Sequence, residues 1–289
     1  MPGSLIQINE QKKVFHLTGP GMSYVFQVLK NGYLAHLHWG ARIQDTGLAE
    51  KIELRDHAFS PNTDPSDRSF SLDTLCQEYP SYGHTDMGHP AYQCQLANGT
   101  TITDLRYAGH QVVKGKKKLP GIPATYVESD DEAETLELRL EDKVAGLEAV
   151  LSYTVFRHFP AIARSVSFVN RGAEKIKILR ALSVSIDFDG SDFDILHLPG
   201  AWAREREIDR KALGQGISSI ESRRGASSHQ QNPFLALLEK DANEDRGAVY
   251  GFSLVYSGNF LGMAEVNSYR RTRVSLGINP FDFSWLLEP

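Results

Sequence analysis

The sequence has few cysteines, little net charge and no long apolar segment. Cys76 and Cys94 are its only cysteines, too few for a disulfide framework or a four-thiolate metal site. The 31 basic and 36 acidic side chains give a net charge of −5, whereas dedicated nucleic-acid binders usually carry a basic domain. Without a run of about 18 apolar residues, no membrane-spanning helix is predicted. The N-terminus lacks a basic region followed by an apolar core, so we predict no signal peptide and a cytoplasmic location.

Motifs of the common chemistries are also missing. The sequence contains no P-loop, nucleophile elbow, zincin motif, paired-cysteine motif or EF-hand loop. His36 and His38 share one face of a predicted strand and could ligate a metal, but no third ligand is evident, so we favour packing or surface roles. Asp187 and Asp189 lie where a predicted strand ends, and we attribute them to turn formation rather than to an acid–base pair. No cofactor or metal is expected.

Alternation of apolar and polar residues dominates what is present. Residues 136–140, 147–155 and 176–186 place apolar side chains at every second position, as half-buried antiparallel strands do. Asn31-Gly32 and Asn98-Gly99 lie between pairs of strand-like segments and suit type I′ hairpin turns, which need positive φ at both central residues. The pattern predicts a large antiparallel β-sandwich.

Two stretches, residues 54–86 and 206–232, interrupt the strand rhythm. Long irregular segments inside a compact domain usually serve a function. The best helix candidate is one short segment, residues 201–211, rich in arginine and glutamate. No alternation of strands and helices is present, which disfavours Rossmann and TIM-barrel folds for this chain.

The two irregular stretches carry most of a resemblance to the glycoside hydrolase family 36 α-galactosidases. The chain is identified as a member of this family over nearly its whole length, through long and specific motifs. These motifs are residues 33–40 (YLAHLHWG), 54–75 (LRDHAFSPNTDPSDRSFSLDTL), 77–83 (QEYPSYG), 104–107 (DLRY), 197–202 (HLPGAW), 221–234 (ESRRGASSHQQNPF) and 279–283 (NPFDF).

The resemblance implies an all-β fold, a large antiparallel β-supersandwich of the galactose-mutarotase type with few short helices, in which residues 1–289 form one N-terminal domain. Family members hydrolyse terminal α-galactosides such as raffinose, melibiose and stachyose, with two aspartates in a retaining mechanism. Both aspartates are implied to lie in a (β/α)₈ barrel that follows this domain, before a small C-terminal β domain. The barrel and its Lys-Trp-Asp motif are absent from these 289 residues. We therefore assign no catalytic residue and expect no hydrolysis by this chain alone, whether it is an excised domain, a truncated product or half of a split enzyme.

The resemblance also implies roles in oligomerisation, with tetramers in the family, and at the rim of a neighbouring subunit's substrate pocket. Asp56 and Arg68 would line the sugar-binding end of that pocket, because a carboxylate and a guanidinium can each form paired hydrogen bonds with vicinal hydroxyls. The alternative is that both residues only organise their loop. Phe59 and Phe70 either stack on sugar faces or anchor the loop, and we favour anchoring.

Trp202 and the polar residues His229, Gln230 and Asn232 form a second candidate set. They are suited either to binding carbohydrate or to sealing the sandwich against the barrel, and we favour the interface role, to which Phe59 and Phe70 are also assigned. The expected partners are α-galactoside oligosaccharides, the barrel domain and further copies of the chain, without nucleic acid or membrane.

Two other functions stay open at this point. A free-standing carbohydrate-binding module would bind galactosides without hydrolysing them. A mutarotase-type epimerase would need a histidine and a carboxylate on a concave face, with His36, His38 or His110 as the histidine. In addition, a sandwich without its barrel exposes an unpaired edge and an apolar face, so we expect the chain to self-associate.

Overall fold

The structure is a computed structural model that describes residues 3–44, 47–52 and 63–289. Over these ranges the chain forms β-strands almost exclusively, and its helical elements are three short 3-10 turns at Leu48–Lys51, Leu72–Thr74 and Asp130–Glu132. None of these helical segments has the length and apolar character that a bilayer crossing demands. The predicted all-β fold class is confirmed.

The strands are numbered in chain order. They are β1 (Ile6–Asn9), β2 (Val14–Gly19), β3 (Met22–Val28), β4 (Leu34–Ala41), β5 (Tyr92–Gln95), β6 (Arg106–Lys114), β7 (Ala133–Asp142), β8 (Leu147–Phe156), β9 (Ile162–Asn170), β10 (Ile176–Phe188), β11 (Phe193–Pro199), β12 (Asp209–Ala212), β13 (Gly216–Glu221), β14 (Gln231–Glu239), β15 (Val249–Ser253), β16 (Phe260–Val266), β17 (Thr272–Ile278) and β18 (Trp285–Leu287).

The strands form four antiparallel sheets. Their orders are β1-β2-β3-β4, β6-β7-β8-β9, β12-β11-β14-β15 and β13-β16-β17-β10-β18, and β5 also pairs with β10. The main core cluster draws side chains from all four sheets, including Phe26 of β3, Tyr153 of β8, Ile186 of β10 and Leu237 of β14. The rings of Phe26 and Tyr153 stack with centroids 5.3 Å apart and join two of the sheets. Burial of these side chains is the main force that holds the layers together.

The alternating segments fold as predicted. Residues 136–140 lie in β7, residues 147–155 in β8 and residues 176–186 in β10. In β8 every second side chain from Leu147 to Val155 is buried, so one face of the strand belongs to the core. The register of β10 shifts twice along its partners, because β-bulges interrupt its pairing with β5 and with β17.

The prediction of type I′ turns is wrong. Gly32 has a φ of 86°, but Asn31 is not left-handed, and the Gly32 amide donates to the Leu29 carbonyl at 2.8 Å. The turn therefore begins one residue earlier, at Leu29, and glycine alone takes the left-handed position, as in longer hairpin loops. Asn98-Gly99 behaves in the same way, and the segment that follows, residues 100–104, is not a strand.

The best helix candidate, residues 201–211, is not helical. This segment begins with tight turns and continues into β12, which pairs with β11. The second irregular stretch, residues 206–232, likewise contains two strands, β12 and β13. Both are largely exposed, so their sequences do not need the alternating apolar residues that mark a half-buried strand.

Residues 71–91, here called the strap, run between two of the sheets. On one side the His36 amide donates to the Cys76 carbonyl at 2.9 Å, and the Glu78 amide donates to Leu34 at 3.2 Å. On the other side the Asp187 amide donates to the Gln77 carbonyl at 3.2 Å. Residues 76–78 therefore join β4 to β10 and extend the β1–β4 sheet into the β10 sheet, as a large β-supersandwich requires.

Candidate functional site

The rim segment, residues 63–70, carries the predicted sugar-binding residue Arg68 at an exposed position. Side chains of the segment fold back on its own backbone: Asp64 accepts from the Ser66 amide and Asp67 from the Ser69 amide, both at 3.1 Å. Lys30 also pairs with Asp67 at 3.2 Å. Such short-range bonds give an irregular segment a defined course. Asp56 and Phe59, the other residues predicted in this loop, lie outside the described residues.

Phe70 ends the rim segment inside the protein. Its ring is 2% exposed and stacks on Tyr33 with centroids 5.6 Å apart, in a small apolar cluster with Leu72 and Leu75. Burying an aromatic side chain of this size stabilises the segment by about 2 kcal/mol or more. This position corresponds to the favoured anchoring role and leaves little of the ring for contact with another molecule.

A polar cluster supports the anchor from the opposite side. The Tyr33 hydroxyl donates to Asp104 at 3.0 Å, and the Arg106 guanidinium lies 2.7 Å from the same carboxylate. That guanidinium also lies 4.1 Å from the centre of the Tyr33 ring. Burial and the neighbouring Asp104 raise the pKa of Tyr33, so its hydroxyl remains a hydrogen-bond donor at all ordinary pH values.

The strap is fastened first by the Glu78 cluster. The Glu78 side chain is 0% exposed and accepts hydrogen bonds from Tyr24 at 2.5 Å, His36 at 2.8 Å and Tyr153 at 2.9 Å. The Arg164 guanidinium lies 3.2 Å from the same carboxylate and contacts both tyrosine hydroxyls at 3.0 Å. These partners come from β3, β4, β8 and β9, so one buried carboxylate connects two sheets.

The Glu78 carboxyl remains ionised in this environment. Burial opposes ionisation, but the Arg164 charge and the hydrogen bond from His36 outweigh it, so the pKa of Glu78 lies below its usual value. Burial beside the Glu78 charge raises the pKa of Tyr24. A charge without solvent is stable only when its hydrogen bonds are complete, as they are here.

The strap is fastened a second time by the Arg273 cluster. Arg273 of β17 forms two hydrogen bonds with Asp187, at 2.7 and 2.9 Å, and its third nitrogen lies 2.8 Å from Asp86. The Gln77 amide group donates to Asp86 at 2.7 Å, and the Gln77 backbone amide donates to Asp187 at 2.9 Å. Burial raises the pKa of Asp86, although Arg273 opposes this shift.

The Arg273 cluster corrects the interpretation of Asp187. This residue lies inside β10, is 5% exposed and accepts hydrogen bonds from Arg273, so it does not form a turn. Asp189 follows the strand and pairs at the surface with Arg271 at 3.1 Å. The two carboxylates therefore have separate arginine partners and do not form an acid–base pair.

The second predicted set comes together at the exposed end of the β11–β14 pair. Trp202 is 91% exposed on the turn after β11, and the adjacent Gly200 amide donates to the Gln230 carbonyl at 3.0 Å. His229 is exposed on the neighbouring turn, where the Gln231 amide donates to Ser228 at 3.2 Å. Trp202, His229 and Gln230 thus lie on two neighbouring exposed turns.

An open groove of about 440 Å³ borders this surface. Its lining is polar, and the Arg224 guanidinium donates to the Gln230 side chain at 2.5 Å. Asn232 is half-buried nearby, and its Nδ2 has no hydrogen-bond partner among the described residues. The lining residues are Glu221, Ser222, Arg223, Arg224, Ser228, Gln230 and Gln231.

A family model described as the glycosyl hydrolase family 36 N-terminal domain matches residues 32–288. The chain belongs to this family as its N-terminal domain. It is 57% identical to alpha-galactosidase AgaA of Geobacillus stearothermophilus over 98% of this chain and 39% of that protein. The crystal structure of the α-galactosidase AgaB from the same organism matches with a TM-score of 0.95 at 57% identity, again over 98% of this chain and 39% of AgaB.

A variant of AgaA in complex with raffinose also matches, with a TM-score of 0.94 at 58% identity over 96% of this chain and 39% of that one. The N-terminal domain described here thus spans about two fifths of the length of the relatives it matches. Its fold and family agree with the sequence-based resemblance.

The histidines proposed for a mutarotase-type site do not converge in this N-terminal domain. His36 is bound to the fully buried Glu78, His38 Nε2 donates to the Ala41 carbonyl at 3.0 Å, and His110 lies between Tyr107 and Glu10. Each histidine has a different partner, and the Glu78 carboxylate that binds His36 is fully buried, where a sugar cannot reach it. In the described ranges, no group of three or more His, Cys, Asp or Glu side chains is arranged to hold a metal ion.

The two cysteines are unsuited to nucleophilic chemistry. Both are free thiols, and burial raises the pKa of Cys76 and of Cys94 to about 12. Because the thiolate is the nucleophile, neither side chain is activated near neutral pH.

Sequence reasoning missed the residues that fasten the strap. Glu78 and Arg273 stand among polar as well as apolar neighbours and carry no clear signal. Arg164 interrupts the alternation of Ile162, Val166 and Phe168 in β9, and that mismatch was the available signal. It identifies a buried charge but not its partner, since Glu78 and Arg164 are far apart in sequence.

Proposed function

We propose that this chain is the accessory N-terminal domain of an α-galactosidase that removes terminal α-galactose from oligosaccharides such as raffinose, melibiose and stachyose. The observation that carries the proposal is the match of the chain to 39% of a solved α-galactosidase at a TM-score of 0.95. The chemistry then belongs to a catalytic barrel outside these residues. Residues 1–289 act as one domain, in the cytoplasm, within a homo-oligomer.

The rim segment is proposed to supply Arg68 to the sugar-binding end of a substrate pocket, together with Asp56. The exposure of Arg68 and the short-range hydrogen bonds on either side of it support this role, because a guanidinium held on a defined backbone can donate to vicinal hydroxyls. Phe70 contributes by anchoring the segment.

The Trp202 surface is proposed to dock against the catalytic barrel or a neighbouring subunit. An indole that is 91% exposed is unusual on a free surface, and aromatic side chains are enriched at protein interfaces. His229, Gln230 and Asn232 supply polar groups beside it.

The first experiment measures hydrolysis of a chromogenic α-galactoside by the purified chain, alone and after mixing with a separately expressed barrel fragment. We expect no activity alone and activity on mixing. Trp202→Ala should weaken the association with the barrel fragment, while Phe159→Ala, at a side chain 64% exposed elsewhere, should not. Hydrolysis by the chain alone, with host enzymes excluded, would contradict the accessory role.

A free-standing carbohydrate-binding module is the second candidate, and the groove beside Trp202 favours it. Titration calorimetry of the isolated chain with raffinose distinguishes the two functions. Binding at micromolar to low-millimolar concentration that is lost in Trp202→Ala would support a binding module, and no binding is expected of an accessory domain alone.

A further inference from the structure

The strap follows directly after the rim segment and has little regular structure of its own. Within the strap, Leu72–Thr74 form a 3-10 turn, and none of the named strands lies between residues 71 and 91. Backbone hydrogen bonds hold residues 76–78 between β4 and β10, whereas the position of the rest of the strap depends largely on the side chains that hold it.

One continuous path of hydrogen bonds connects β17 to the start of the strap. Arg273 lies 2.8 Å from Asp86, and Asp86 accepts from the Gln77 amide group at 2.7 Å. The same amide group donates to the Leu72 carbonyl at 3.0 Å. Leu72 belongs to the apolar cluster that buries Phe70, two residues beyond Arg68. Gln77 therefore ties the two ends of the strap together behind the rim.

We propose that Gln77 and the Asp86–Arg273 ion pair are positioning residues that hold Arg68 at the rim. The significance of Arg68 for substrate rests on the function proposed above, whereas the positioning is a property of this chain. Gln77 is 5% exposed and Arg273 8%, so neither residue can reach a substrate itself. Their effect on substrate has to pass through the strap.

The charge in this path favours positioning over simple packing. A buried ion pair gives little net stability, because the desolvation of both groups offsets their attraction. It does require specific geometry, since a guanidinium that satisfies Asp187 and Asp86 together fits only one arrangement of the strap. The cluster therefore selects one position of the rim more than it stabilises the fold.

The first test uses hydrogen exchange on the isolated 289-residue chain. Gln77→Met keeps the length of the side chain but removes both hydrogen bonds, and Asp86→Asn removes the charge that faces Arg273. Amides of residues 63–75 should lose protection by about tenfold or more, while amides of β7 and β8 keep theirs. The matched control is Asp189→Asn, a carboxylate near the same end of β10 that pairs with Arg271 outside the strap.

The second test uses kinetics of a full-length enzyme in which this chain replaces the corresponding part of AgaA. Gln77→Met and Asp86→Asn should raise the KM for raffinose by about tenfold with kcat within twofold, and Arg68→Ala should do the same, because a misplaced binding group weakens substrate contacts. Asp189→Asn should leave both constants unchanged.

The outcomes separate this inference from the proposed function. If Arg68→Ala raises KM while Gln77→Met and Asp86→Asn do not, the positioning role is wrong and the rim function stands. If Arg68→Ala has no effect, the rim function fails, and hydrogen exchange alone decides whether the path holds residues 63–75. Unchanged exchange there, or equal loss of protection in all sheets, would overturn the positioning role.

Discussion

Arg164 lies 3.2 Å from the Glu78 carboxylate, at a site where the Glu78 side chain is 0% exposed. The two residues come from β9 and from the strap, and two tyrosine hydroxyls and a histidine complete the hydrogen bonds of the carboxylate. This contact joins an irregular segment to the centre of the sandwich. It explains how a long loop can follow a defined course within a β fold.

We predict that Glu78→Gln lowers the free energy of unfolding by about 3–5 kcal/mol, because it leaves the Arg164 charge buried without its partner. Urea denaturation of the chain measures the change. Glu10→Gln is the control, since Glu10 is exposed, pairs at the surface with Lys13 and His110, and should leave the stability nearly unchanged. Equal stabilities for the Glu78 variant and the parent chain would contradict the structural role of this carboxylate.

Acid should destabilise the chain partly through Glu78. Burial is outweighed by Arg164 and His36, so the folded-state pKa lies below the usual value of 4.5. A lowered pKa gives stability that is fully present above 4.5 and is lost as the pH falls through the folded-state value. The urea midpoint of the parent chain should decrease from its value at pH 7 as the pH is lowered below 4.5. The midpoint of the Glu78→Gln chain should decrease less over the same pH range. Equal decreases of the urea midpoint in both chains would refute the assignment of this acid sensitivity to Glu78.

Gly277 is predicted to be irreplaceable for a packing reason. A Cβ at this position would lie 2.6 Å from the Leu182 Cα, at the bulge where β17 meets β10. Backbone on both sides cannot yield easily, so Gly277→Ala should cost about 1–3 kcal/mol or more. Gly190→Ala is the matched control, because a Cβ there meets nothing within 4 Å. A thermal unfolding scan compares the two variants.

We expect the isolated chain to self-associate through exposed apolar side chains of its C-terminal strand. Trp285 is 64% exposed and Leu286 51%, on β18, which pairs with β10. Exposed apolar groups on a strand promote association between copies. Sedimentation velocity at tens of micromolar should show oligomers that diminish with Trp285→Ser. Phe159→Ser, at a side chain equally exposed, should leave them unchanged, and a monomeric parent chain would refute the expectation.

The alternation of apolar and polar residues was sufficient to predict the core strands but did not reveal the exposed strands. Strand β8 could be predicted because burial of one face forces an apolar residue at every second position. Strands β12 and β13 could not, since β12 is exposed along most of its length and β13 buries a single apolar side chain, Ile220, so neither shows an alternation. The hairpin at Asn31-Gly32 was located correctly, but its turn type depends on where the flanking strands end, which two residues do not specify.

The candidate site divides in the same way. The motif residues around Arg68 and Trp202 could be found in the sequence, and the structure brings the turns that carry Trp202 and Gln230 next to each other. The residues that hold the rim could not be paired, because Asp86, which accepts from Gln77, meets Arg273 from the far end of the chain. Arg164, which interrupts the apolar alternation of β9, indicates a buried charge but does not identify its partner.

The sequence by itself determined the β architecture, the family and the location of the two motif-bearing stretches, because periodic burial and long motifs are local properties of the chain. Tertiary structure alone decided that residues 76–78 join two sheets, that Glu78 is an internal anchor and that Asp187 belongs to Arg273. The physical reason is that the free energy of a buried charge depends on which groups surround it in space, and distant strands bring those groups together.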